Sequence, residues 1–145
     1  MNRKKEIYYK NIFIYSALQY TGNVEEYFAK HSEKLVSFVV NPRLKNKDNF
    51  IRLYQMGKLV DEKTVKLSEN LFVYYILWYV THLRILLTYF SRKEKVVVII
   101  FHPLSLFGMR LQKLFRNVIY VYWVADYFPP VNFVLRMFEK LKRFY

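Results

Sequence analysis

The sequence predicts a single α/β domain with a Rossmann-like parallel sheet and flanking helices. Two apolar runs without polar alternation, residues 96–101 and 118–124, have the composition of strands covered on both faces. At the start of the chain, a strand, a loop containing Gly22 and a helix follow one another as in a βαβ unit. The length of 145 residues supports one domain with a core but is short for two.

The first half of the chain supplies the remaining elements in order. A strand is predicted at residues 12–17 and a helix at residues 24–32, with Asn23 as its N-cap. Residues 35–40 predict the second strand, ended by Asn41 and Pro42. Residues 50–55 and 58–66 flank Met56 and Gly57 and predict a hairpin. We expect one parallel sheet from strands 12–17, 35–40, 96–101 and 118–124, joined by right-handed crossovers.

Residues 71–90 have about the length that spans the hydrocarbon core of a bilayer. However, Arg84 near the centre of a spanning helix costs roughly 2.5–3.5 kcal/mol. Thr81, Arg84, Thr88 and Arg92 recur at helical spacing and draw a polar stripe along an apolar helix. Two alternatives stay open: a helix that packs on the sheet or lies in the membrane interface, and a helix that inserts.

The last helix is predicted over residues 131–145 and is amphipathic. One face carries Val131, Val134, Leu135, Phe138 and Leu141. The other face carries Arg136, Lys140, Lys142 and Arg143, which either meet solvent or rest against anionic lipid. The net charge of +13 and the aromatic content of 20% suit a polyanionic surface. The residues predicted to face a membrane are Trp78, Arg84, Arg136, Lys140 and Arg143.

Several kinds of site are not supported by the sequence. There is no cysteine, and the three histidines lack ligand spacing, so no metal site is expected. The first strand is not followed by G-x-G-x-x-G, Gly57-Lys58 is not part of a complete P-loop, and no G-x-S-x-G elbow occurs. Binding of nucleic acid would rest on charge alone and is therefore not expected.

The candidate substrate-binding residues are Gly22, His102 and Asp126. Ligands of parallel α/β sheets bind beyond the carboxyl ends of the strands, and all three residues follow predicted strands. Each has a plainer interpretation: Gly22 as a turn glycine, His102 as a hydrogen-bonded strand-end residue before Pro103, and Asp126 as an acid that caps the next turn. No catalytic residue can be named.

The last third of the chain resembles the N-terminal, acceptor-side domain of GT-B glycosyltransferases, close to the family 4 type. The matching positions are His102-Pro103-Leu104, Gly108, the pattern Tyr-x-x-x-Asp-Tyr-x-Pro at residues 122–129, and Arg143-Phe144. The chain departs from the family at His102, where an acid is frequent, and it stops where that domain continues. The resemblance implies that residues 1–145 are a truncated N-terminal domain without the donor-binding C-terminal domain.

This resemblance implies a function that depends on a second half. The nucleotide-sugar donor would bind to the missing domain or to a partner chain, and this chain would bind no cofactor and be inactive alone. Its acceptor would be a lipid-linked or cell-envelope glycan of polysaccharide biosynthesis, at the cytoplasmic face of a membrane. The alternative is a non-catalytic α/β interaction protein that is peripheral to the membrane.

Overall fold

The strands of this protein form one mixed sheet in the computed structural model, which describes residues 9–17, 22–40, 48–101 and 117–122. Within these residues the sheet has the strand order β4-β3-β2-β1-β5-β6. The elements in chain order are β1 (Tyr9–Ala17), α1 (Gly22–Lys30), β2 (Ser32–Val39), β3 (Asn49–Gln55), β4 (Lys58–Val65), α2 (Leu71–Tyr89), β5 (Val96–Ile100) and β6 (Val118–Tyr122).

The predicted parallel core of the sheet is confirmed. Strand β1 lies in the middle and pairs in parallel with β2 on one side and with β5 on the other, so that Ile12 is level with Leu35 and with Val97. Strand β6 adds to β5 in parallel. The α/β class and all four predicted parallel strands are therefore present, with shifts of a few residues at their ends.

The sheet is mixed because the predicted hairpin joins it. Strand β3 pairs antiparallel with β2, and β4 pairs antiparallel with β3. The link from Val39 to Asn49 is shorter than the roughly twelve residues that a parallel crossover needs, so β3 has to return antiparallel. The predicted hairpin therefore forms an antiparallel edge beside the parallel core.

Two hydrophobic layers cover opposite faces of the sheet. On the α1 face, Phe28 and Ala29 pack over inward side chains of β1, β2 and β5, among them Ile12 and Leu35. On the α2 face, Trp78, Ile85 and Leu86 of α2 pack over Phe13 and its neighbours. Alternate residues of β1 thus enter different layers, which explains why residues 12–15 of this strand are apolar without interruption.

The order of the parallel strands reverses at β1. The chain moves from β1 to β2 by way of α1, then returns across β1 to β5 after the hairpin and α2. Crossovers of one hand that run in opposite directions lie on opposite faces of the sheet, and α1 and α2 do so. The topological switch point of this sheet lies between β1 and β5.

Both helices differ slightly from their predicted bounds. Helix α1 begins at Gly22, so Asn23 lies inside it and is not its N-cap, and it ends at Lys30 because Ser32 pairs with Tyr9 as part of β2. Helix α2 starts as predicted. Its N-cap is Asn70, whose side chain accepts hydrogen bonds from the backbone N–H groups of Phe72 and Val73.

The turn between β3 and β4 carries a strained methionine. Met56 and Gly57 have φ values of 51° and 81°, which are the two positive values of a type I′ turn. We expect Met56→Asn to raise the free energy of unfolding by about 0.5–1 kcal/mol, since asparagine tolerates this region better than methionine does. Urea unfolding checks this, with Met56→Ala as the control. An equal gain in both variants would contradict the conformational explanation.

Candidate functional site

The candidate site is the sheet edge formed by the carboxyl ends of the parallel strands. Strands β1, β5 and β6 lie side by side and run in the same direction, so Ala17, Ile100 and Tyr122 end at one edge. Helix α1 begins at Gly22, shortly after Ala17. The switch point between β1 and β5 opens at this edge, where ligands of such sheets bind.

Two of the predicted substrate-binding residues, His102 and Asp126, lie outside the described residues. The strands that precede them are described, and they are direct neighbours: Ile100 at the end of β5 is level with Tyr122 at the end of β6. His102 and Asp126 could serve one crevice only if the strands before them are neighbours, and these two strands are neighbours. The positions of the two side chains stay predictions.

An aromatic cluster lies beneath α2, close to this edge. We use the term aromatic cluster for Tyr15, Trp78, His82 and the tyrosines that surround Tyr15. The ring of Tyr15 lies 4.2 Å from the ring of His82 and 5.3 Å from that of Trp78, measured between centroids. Both Tyr15 and His82 are buried.

Burial determines the chemistry of this cluster. It raises the pKa of Tyr15 far above its usual value, and nearby Tyr74, Tyr79 and Tyr120 raise that pKa further. Burial also raises the pKa of Tyr120. The phenols of Tyr15 and Tyr120 therefore stay protonated at neutral pH and can serve as hydrogen-bonding groups, not as bases.

The sequence analysis missed Tyr15 and His82 as members of one cluster. The available signals were the alternation of Phe13 and Tyr15 on β1 and the four-residue spacing of Trp78 and His82 on α2. Each signal places two side chains on one face of its own element. Neither tells which faces meet, since that depends on how α2 crosses the sheet.

Helix α2 runs antiparallel to β1. Phe13 lies near Phe90, with ring centroids 6.5 Å apart, whereas Tyr15, further along β1, lies near Trp78, which comes earlier in α2. At the opposite edge, Nζ of Lys34 donates to the backbone carbonyl of Tyr89. The amino end of α2, with Asn70 and Phe72, is therefore the end nearest the carboxyl edge of the sheet.

The predicted membrane-facing residues divide into three groups. Trp78 is only 6% exposed and packs against the sheet, so its prediction is wrong for the described fold: the indole contacts Tyr15 and Tyr74. Arg84 is exposed, as are Thr88 and Arg92 of the predicted polar stripe. Arg136, Lys140 and Arg143 lie outside the described residues.

The side of α2 that points away from the sheet is largely apolar. We call this surface the outer face of α2; it consists of Phe72, Val73, Ile76, Val80 and Leu87, which are 40–74% exposed. Arg84 lies at its border. Among the described helices, none combines the length and the apolar character that crossing a membrane requires.

On the face of the sheet opposite α2, a buried ion pair joins α1 to strand β3 of the hairpin. Glu25 in the first turn of α1 is buried, and its Oε2 lies 3.4 Å from a guanidinium nitrogen of Arg52 on β3. Arg52 also pairs with Glu62 on β4. Burial of the phenol, followed by the charge of Glu25, raises the pKa of Tyr54 to about 12. This network fixes the orientation of the helix that begins at the candidate site.

The described residues do not gather a metal-binding group. In ranges 9–17, 22–40, 48–101 and 117–122, no three His, Asp or Glu side chains come together in a way that could hold a metal ion. The buried Glu25 instead pairs with Arg52.

Comparisons with protein-family models, with curated proteins and with solved structures find no match to this chain.

Proposed function

We propose that this chain is the acceptor-binding half of a GT-B-type glycosyltransferase. The observation that carries the proposal is the switch point between β1 and β5, which opens at the edge where Gly22 begins α1 and from which the chain continues to His102. The resemblance of residues 99–145 to the acceptor-side domain supports the same assignment. An acceptor in this position would meet the loop before Gly22 on one side and the segments after β5 and β6 on the other.

The transfer reaction needs a second half in this proposal. A nucleotide-sugar donor would bind to a separate C-terminal domain or partner chain, and the acceptor hydroxyl would be oriented at the edge of this sheet. Asp126 is suited to accept a hydrogen bond from such a hydroxyl, because an ionised carboxylate is a strong acceptor. The proposed acceptor is a lipid-linked or cell-envelope glycan, and the proposed location is the cytoplasmic face of a membrane.

The test is reconstitution of transfer with a donor-domain chain. We expect no transfer by this chain alone and transfer when it is expressed together with a donor-domain chain encoded by an adjacent reading frame. Asp126→Asn should then lower the transfer rate about tenfold to one hundredfold, the loss typical of one hydrogen bond to a charged group. The melting temperature should stay nearly unchanged.

Asp61→Asn is the matched control for this experiment. Asp61 belongs to β4, at the far edge of the sheet from β5 and β6, so the same chemical change should leave transfer intact. Transfer by this chain alone, or full transfer by Asp126→Asn in the reconstituted enzyme, would contradict the proposal.

A second candidate is a non-catalytic protein that binds a membrane surface. The observation that favours it is the exposed outer face of α2. The two candidates differ in one measurable respect: the transferase needs the carboxyl edge of the sheet and a donor chain, whereas the interaction protein needs neither.

A further inference from the structure

The outer face of α2 has the properties of a surface that contacts something apolar. From Val73 onward its side chains recur three, four and seven positions apart along a helix of 19 residues, or about 28 Å. They point away from the sheet. Another helix packed on the same face of the sheet would therefore contact the flanks of α2 and not its outer face. The outer face of α2, called the strip below, therefore differs from the scattered exposed apolar residues that any soluble domain carries.

The charged residues of α2 and of the segments next to it in the chain are predominantly positive. Residues 66–95 contain five Lys or Arg, namely Lys66, Arg84, Arg92, Lys93 and Lys95, against two acids, Glu69 and Glu94. Helix α2 itself carries no acid. In a pair of identical chains these cationic borders would repel each other, and the net charge of +13 adds to that repulsion. An anionic surface is complementary to both the strip and its border.

We propose that the outer face of α2 lies in the interface of an anionic membrane, with its apolar side chains at the level of the acyl chains and Arg84 at the headgroups. The helix then lies parallel to the membrane plane and carries the sheet above it. This inference rests on the proposed membrane-peripheral location and assigns it to one surface of the molecule.

The direction of α2 links this surface to the candidate site. The exposed Phe72 and Val73 lie at the amino end of α2, which is the end nearest the carboxyl edge of the sheet. A glycan acceptor with a lipid tail could keep its tail in the bilayer beside Phe72 while its polar head reaches the carboxyl edge of the sheet. The geometry therefore favours a lipid-linked acceptor over a soluble one.

Vesicle binding tests the surface. We expect the purified chain to sediment with phosphatidylcholine vesicles that contain phosphatidylglycerol, and less with phosphatidylcholine alone or in high salt. Val80→Asp should weaken this binding at least about tenfold, since it places a charge in the middle of the strip. Arg84→Glu should reduce mainly the part of the binding that depends on phosphatidylglycerol and salt.

Leu59→Asp is the matched control. Leu59 is 52% exposed and Val80 is 50% exposed, so the two substitutions add the same charge at similar exposure. Leu59 is level with Tyr54, whose ring packs on the α1 face, and therefore lies away from α2. Leu59→Asp should bind vesicles like the unmodified chain, and all variants should keep the unmodified melting temperature.

A fluorescence measurement adds the depth of insertion. In Phe72→Trp, the emission of the new indole should shift to the blue on vesicle binding and be quenched by brominated acyl chains.

No vesicle binding by the unmodified chain, or equal binding by Val80→Asp, would overturn the inference; the latter result would assign binding to another surface, such as residues 131–145. Loss of dimerisation in Val80→Asp without an effect on vesicles would assign the strip to a second copy and also overturn it.

The outcome is separable from that of the proposed transferase. In the reconstituted enzyme, Val80→Asp should lose transfer to a lipid-linked acceptor but retain transfer to a short water-soluble analogue. If no variant or unmodified chain transfers sugar with any partner, the proposed transferase fails while the vesicle result still decides the membrane contact. If Val80→Asp lowers transfer to the two acceptors equally, the inferred link between the outer face of α2 and the carboxyl edge of the sheet is wrong.

Discussion

Trp78→Ala should lower the free energy of unfolding by about 3–5 kcal/mol, the range seen when a large buried aromatic side chain is truncated. The indole is buried between α2 and the sheet and has the rings of Tyr15 and Tyr74 as neighbours, at 5.3 Å and 6.1 Å. Its removal leaves a cavity beside Tyr15, in the part of the core that carries the candidate site. Urea unfolding followed by far-ultraviolet circular dichroism measures the change.

Ile76→Ala is the control on the same helix. Ile76 belongs to the exposed outer face, so its truncation removes few internal contacts and should cost less than about 1 kcal/mol. The pair of variants distinguishes the two sides of α2. Similar small losses in both would mean that Trp78 faces outward after all, as the sequence analysis predicted.

Arg52→Ala should be the second strongly destabilising change, with a loss of about 2–4 kcal/mol. Glu25 is buried on α1, and removing the guanidinium leaves its carboxylate without the cation that lies 3.4 Å away. Breaking a buried pair on one side costs about 3–5 kcal/mol, and the lower part of the expected range reflects the partial exposure of Arg52. Urea unfolding at neutral pH measures this loss.

The cause of the loss can be isolated in a second background. In Glu25→Gln, the further change Arg52→Ala should cost clearly less, because a neutral amide is easier to leave buried than a carboxylate is. Lys30→Ala provides the comparison with an exposed pair on the same helix: Lys30 and Glu26 are both exposed, so the loss should stay below about 0.5 kcal/mol. Equal costs of Arg52→Ala in both backgrounds would show that packing of the side chain, not its charge, matters.

The predictable part of the fold was the part with uniform composition. Strands β5 and β6 could be predicted because each consists of apolar residues without polar alternation, which is typical of strands between two helical layers. Helix α2 was predictable for the same reason, within one residue at its carboxyl end. In β5 the local pattern and the final environment agree, whereas Ile119 and Val121 of β6 are 42% and 41% exposed.

The side of α2 that packs on the sheet could not be predicted. Trp78 and Val80 are both apolar, yet one is buried and the other is half exposed. The exposed Arg84 and Thr88 mark one flank of α2, but the rest of its circumference is apolar and has no hydrophobic period to tell the buried face from the outer one, so the sheet decides. The same holds for Glu25 and Arg52, whose pairing joins two elements that are distant in sequence.

The candidate site was predictable at the level of topology. Residues that follow parallel strands meet at one edge of the sheet. Strands β5 and β6 are adjacent and parallel, and both end at that edge. Side-chain orientation at such an edge depends on loops, for which the sequence offers only weak local signals. The contact between Tyr15 and His82 could not be predicted from the sequence, because it arises only from the packing of α2 across β1.

The central position of β1 constrains the order in which the chain folds. Its partnership with β2 forms within the first 40 residues, whereas its contacts with the region of β5 join groups far apart in sequence, as in the hydrogen bond from Asn11 to the carbonyl of Lys95, 84 residues away. Closing so long a loop is entropically costly and slow. During synthesis, the open edge of β1 therefore stays exposed until β5 has left the ribosome. We expect aggregation and dependence on chaperones to be greatest in this interval, because an unpaired strand edge can pair with another chain.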